Sequence, residues 1–117
     1  MPQLAYYGSA DGTTIFVEAF VHSPPELQRE IASSPGQAVV NMLGGVGVTH
    51  PVGEDPGNLG GAMACGTAPQ AGGTPRPVCG WAQGTLGVEV VFVTGDLTLA
   101  DASGRTKAFR ESVTTAR

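Results

Sequence analysis

The sequence predicts an α+β domain: a largely antiparallel sheet with two helices on one face, in the order β-α-β-β-β-β-α, a ferredoxin-like or related open sandwich. Three observations predict it. A β-branched and aromatic run at residues 13–21 is followed at once by a helix-start signature. A turn-rich meander from Leu59 to Thr94 holds both cysteines. An amphipathic stripe then closes the chain.

Residues 1–12 form a lead-in segment with a turn at Asp11-Gly12, and residues 13–115 form one domain. A chain of 117 residues has room for a single core. Thr13 to Val21 (TTIFVEAFV) is the first strand. Ile15, Val17, Ala19 and Val21 share one face and Phe16 and Phe20 the other, which suits a central strand covered on both sides.

Ser23-Pro24-Pro25-Glu26 starts a helix: Ser caps it, Pro occupies the first helical position and Glu closes a capping box. That helix ends before Pro35-Gly36. Gln37 to Leu43 fits either a short second helical turn or irregular chain, stopped by Gly44-Gly45. Val46 to Val52 carries Pro51 and reads as a poor or edge strand. Asp55-Pro56-Gly57 is a turn.

Leu59 to Thr67, Arg76 to Gln83 and Thr85 to Thr94 follow as meander strands, the last two joined at Gln83-Gly84. This register sets Trp81 opposite Leu86 and Cys79 opposite Val88, and makes Trp81 a core residue. Glu89 falls on the reverse face, read first as edge-facing and solvated, with a buried acid as the alternative. In the last helix Leu99, Ala102, Thr106, Phe109 and Val113 keep helical spacing, and Gly104 weakens it by about 1 kcal/mol relative to Ala. Eighteen Gly and nine Pro exclude long uninterrupted helices.

Cys65 and Cys79 flank CGTAPQAGGTPRPVC, and a turn centred on Gly72-Gly73 sets them directly opposite each other. Such partners lie about 4.5 Å apart at Cα, within reach of a disulfide. The alternative is a pair of unrelated buried thiols. Bridges persist in oxidising compartments, so the pair points to an extracytoplasmic location, secreted or membrane-anchored. Met1-Pro2-Gln3-Leu4 lacks a basic and apolar signal, and no apolar run reaches membrane length. Membrane attachment is therefore expected only through a segment absent from this chain.

Ten acidic and six basic residues give a net charge of −4, which disfavours nucleic acid as a partner. Four of the cations fall in residues 105–117, where they suit a helix C-terminus. The glycine clusters match neither GxGxxG nor a Walker loop. His22 and His50 are the only histidines and sit at ordinary surface positions, so no catalytic set, metal site or cofactor is read.

At LGGAMACG (Leu59 to Gly66) and VCGWAQGTLGV (Val78 to Val88) the chain resembles small extracytoplasmic domains of actinobacterial exported or membrane-anchored proteins of unknown function. In those domains Leu-Gly-Gly precedes a Cys-Gly, and the second cysteine stands in a Val-Cys-x-Trp-Ala context. Gln83 departs from that pattern, in which an acidic residue follows Trp-Ala. The resemblance covers roughly residues 13–115 and implies an outward-facing domain, often behind a proline-rich segment and one membrane helix. It implies no activity.

The leading expectation is a non-enzymatic extracytoplasmic module that binds a protein or cell-envelope component. Its partner loops are Pro51 to Gly57 and Pro69 to Pro77, represented by Pro51, Asp55, Pro69 and Arg76. A second is a small apolar-ligand binder lined by Phe16, Phe20, Trp81 and Phe109. A third is a protease inhibitor presenting the disulfide-closed loop 66–78, with an exposed Arg76 as its sign. An enzyme ranks last, since it needs His22 or His50 beside an acid and a nucleophile.

Overall fold

The computed structural model describes residues 3–8, 14–20, 25–54, 60–69, 75–83, 86–92 and 98–115. Six strands and three helices follow one another: β1 (Gln3–Gly8), β2 (Thr14–Phe20), α1 (Pro25–Ser33), α2 (Pro35–Gly45), β3 (Val52–Glu54), β4 (Ala62–Ala68), β5 (Arg76–Gln83), β6 (Leu86–Phe92) and α3 (Leu99–Thr115). The sheet runs β1-β2-β6-β5-β4-β3, and every neighbouring pair is antiparallel. The α+β class and the antiparallel sheet are those expected from the sequence.

The helices are not on one face. Ala64, Ala68, Val78 and Ala82 pack with Ile31, Val39 and Leu43 of α1 and α2. Met63, Cys65, Cys79, Trp81, Val88, Val90 and Phe92 pack with Ala102 and Phe109 of α3. Successive strand residues belong to opposite clusters, so the sheet is sandwiched between helical layers. The near-continuous apolar runs of β4 to β6 are what a sheet covered on both sides requires. The element order, with two strands before α1 and four between α2 and α3, is not the β-α-β-β-α-β order of a ferredoxin-like sandwich.

The lead-in segment supplies a strand of its own. β1 pairs with β2 from Gln3↔Ala19 to Gly8↔Thr14, making it an edge strand outside the predicted core range. The expected turn at Asp11-Gly12 and the Ser23 cap lie outside the described residues.

Gln37 to Leu43 is the middle of a full helix. Pro35, expected to stop a helix, also begins the next one, because its fixed φ and missing N–H suit the first helical position. Asn41 Nδ2 donates to Glu30 Oε1 at 2.9 Å and ties α2 to α1. α2 ends at Gly45, as expected of Gly44-Gly45. The chain is turned off the helix at Gly47, at φ 97°, with Gly47 N donating to Gly44 O at 3.1 Å and Val48 N to Leu43 O at 3.0 Å. This is a Schellman cap, and its hydrophobic contact is supplied by Val48 and Leu43, both buried in one cluster.

α3 spans 17 residues, longer than the composition suggested, because Gly104 is the one Gly within it. Thr98 caps it: Oγ1 accepts from Asp101 N at 3.1 Å. Of the predicted stripe, Ala102 and Thr106 are fully buried, Phe109 is half-buried and Leu99 is exposed. The predicted Val113 side chain lies outside the description.

Candidate functional site

Cys65 and Cys79 are exact register partners, joined by a disulfide with a Cα–Cα distance of 4.1 Å. Both are at most 1% exposed and sit in the α3-side core with Met63 and Trp81. Every cysteine of the chain is used in this bridge. It clamps β4 to β5, and so fixes the base of the connection between them.

At the end of the sheet where that connection emerges, the segment after α2 crosses β4. Val48 and Pro51 lie on Gly66: a Cβ there would collide with Val48 Cγ1, 3.4 Å from Pro51 Cα. Gly47 lies against Pro69, 3.6 Å from its Cδ at the position a Cβ would take. The absence of a side chain at Gly66 is therefore what lets the crossing segment sit down on the strand. The crossing leaves Val46, Thr49, His50 and Val52 exposed, and Pro69 just after β4 and Pro75 just before β5 are exposed too. Val52 keeps 54% of its surface in solvent and Val46 keeps 38%. None of these exposed residues is acidic, lysine or arginine. Among the described residues, the result is a partly apolar surface of valine, threonine, histidine and proline held on a covalently braced hairpin.

Two of the expected partner-loop residues, Pro51 against Gly66 and Pro69 against Gly47, thus belong to the crossing of this segment over β4. Asp55 lies outside the described residues. Arg76 is half-buried within β5, in register with Ala68, rather than presented on an extended loop. Pairing of Gly66↔Val78, Thr67↔Pro77 and Ala68↔Arg76 draws both arms of the disulfide-closed loop into the sheet and leaves Arg76 half-buried, so the exposed arginine sought for an inhibitor is not formed.

Of the four aromatic residues expected to line one cavity, the side chains of Phe16 and Phe20 lie outside the description, and their backbone register alone places them. Trp81 and Phe109 meet with ring centroids 6.3 Å apart on the α3 side. Phe16 and Phe20 are in register with Val91 and Gly87. Val91 packs on the α1/α2-side cluster, and a Cβ at Gly87 would meet Met42 and Ile31. Directly opposed residues occupy the same pleat face, so these positions do not join the Trp81 pair.

Beside Trp81 lies an unforeseen feature. Arg110, 1% exposed, donates through Nη2 to Gly60 O at 2.7 Å and to Gln83 Oε1 at 2.9 Å, with its guanidinium 5.7 Å from the Trp81 centroid. Burial pushes its pKa below the ordinary arginine value. This arrangement fastens α3 to the β4–β5–β6 end of the sheet and is structural. Glu89, expected in a solvated role, is 2% exposed because β6 is central, between β2 and β5, with α1 and α2 above that face.

His50 is exposed, with Nδ1 3.0 Å from Thr49 Oγ1; His22 lies outside the described residues. Among the described residues no group of three His, Cys, Asp or Glu is placed to hold a metal ion. No helix among them is long and apolar enough to cross a membrane. No protein-family model, curated protein or solved structure matches the chain. Sequence reading placed Val52 inside the expected Pro51 to Gly57 loop and missed Val46, whose signal was a valine isolated among glycines, where no core periodicity claims it.

Proposed function

We propose that this chain is a non-enzymatic extracytoplasmic binding module that engages a protein partner through the surface formed by Val46–Val52, Pro69 and Pro75. The observation that carries the reading is the buried Cys65–Cys79 bridge at the base of that surface. A disulfide of this kind persists where the environment is oxidising, which supports an extracytoplasmic address. The bridge also pre-organises the hairpin bearing Pro69 and Pro75, and pre-organisation lowers the entropy lost on association. Exposed valines and prolines without formal charge suit a protein surface better than a polyanionic envelope polymer, which calls for Lys and Arg.

The test is a comparison of the intact domain with its Val46→Asp and Val52→Asp variants in binding to an envelope protein fraction. Both sites are exposed, so the variants retain their fold, verified by near-ultraviolet circular dichroism. A retained protein partner that is lost on either substitution supports the reading. Equal retention by all three proteins rejects this surface as the contact.

A further inference from the structure

We infer that the outer edge of β1 is a docking edge for a second copy of this chain. The sheet ends in two very different strands. β3 is three residues long and ends in Glu54, a short and charged edge of the kind that discourages pairing. β1 runs six residues, Gln3–Gly8, with the sequence QLAYYG, and contains neither a charge nor a proline. Among the described residues its outer side has no strand neighbour. The helical layers pack over β4, β5 and β6, so they do not shield that side. Among the described residues, β1 therefore carries none of the usual devices that blunt an edge.

The strand is complementary to itself. In an antiparallel pair, directly opposed residues must both turn their N–H and C=O groups toward the partner or both away. A strand pairing with its own copy is thus centred on a residue. Centred on Ala5, the register sets Leu4 opposite Tyr6 and Gln3 opposite Tyr7. Centred on Tyr6, it sets Ala5 opposite Tyr7. Both give aromatic and aliphatic cross-strand pairs with no like charges facing each other. Two copies each carrying −4 repel overall, which favours contact along a segment that carries no formal charge. The pairing is isologous and closes after two copies.

Velocity sedimentation of the intact chain across a concentration series provides the first measurement. The expected result is a concentration-dependent shift from 11.8 kDa to twice that mass, abolished by Ala5→Lys. Since the native cysteines are paired, single-cysteine additions report the register directly. Ala5→Cys or Tyr6→Cys is expected to oxidise to a covalent dimer under conditions where Val52→Cys, at the opposite edge, stays monomeric. These variants decide the question even where Ala5→Lys fails to fold. A chain of 11.8 kDa at every concentration, or cross-linking of neither β1 variant beyond the Val52→Cys level, overturns the inference.

Discussion

The guanidinium of Arg110 lies 5.7 Å from the ring centroid of Trp81 while donating to Gly60 O and Gln83 Oε1. One side chain from α3 thus meets Trp81, the end of β5 at Gln83 and Gly60 just ahead of β4. Hydrogen bonds from a charged donor each contribute about 1.5–3 kcal/mol, and a desolvated cation–π contact roughly 1–2 kcal/mol. Arg110→Ala is expected to lower stability by about 3 kcal/mol and to shift Trp81 emission. Arg110→Lys should recover only part of this, because an ammonium lacks the planar fork. Urea unfolding followed by tryptophan fluorescence checks both values.

Reduction of the Cys65–Cys79 bridge, or replacement of both by Ser, removes the closure of a 15-residue loop, its ends 14 positions apart. The chain-entropy relation gives a loss of about 3 kcal/mol, or roughly 10–20 °C in Tm for a domain of this size. Calorimetry with and without reductant measures it. An unchanged Tm contradicts a stabilising role for the bridge.

Glycines on the two sides of the hairpin separate steric from propensity effects. Gly61 has φ 77°, and a Cβ there would run into the Ala82 carbonyl oxygen. Gly61→Ala is expected to destabilise by more than 1 kcal/mol. Gly104, in α3, has nothing near its Cβ position, so Gly104→Ala should stabilise by about 1 kcal/mol. Chemical denaturation of the pair gives shifts of opposite sign.

Gly66→Ala should lift the crossing segment off β4 and cost about 1–3 kcal/mol, since the new methyl meets Val48. Val48→Ala opens that space. In a double-mutant cycle the two substitutions should therefore be less harmful together than their separate costs imply. Strict additivity would show that Val48 does not press on Gly66.

The parts legible in the sequence were those set by local symmetry. Cysteines seven residues to either side of Gly72 make the Cys65↔Cys79 register readable from spacing alone. The next pairing slipped by two residues: Trp81 faces Val88 and Cys79 faces Val90, with Gln83 opposite Leu86. A shift of two keeps every side chain on its face, so the buried Trp81 cluster survived the error. Glu89 was misjudged because its exposure depends on which strand lies beside β6, and that strand, β2, is distant in sequence. The division of helices between two faces was illegible for a similar reason: β4 to β6 are apolar on both sides, which allows cover from either. Arg110 was assigned to the helix dipole as a C-terminal cation. Its position four residues after Thr106 and eight after Ala102 places it on the buried stripe, a signal that outweighs charge.

The most direct test of the account is the state of Cys65 and Cys79 in the cell that makes this protein. Cells are lysed into a thiol-alkylating reagent and the protein is examined by mass before and after reduction. Both sulfurs protected until reduction is the predicted result, as an oxidising address requires. Alkylation of both without reduction would contradict the extracytoplasmic assignment and the binding role built on it.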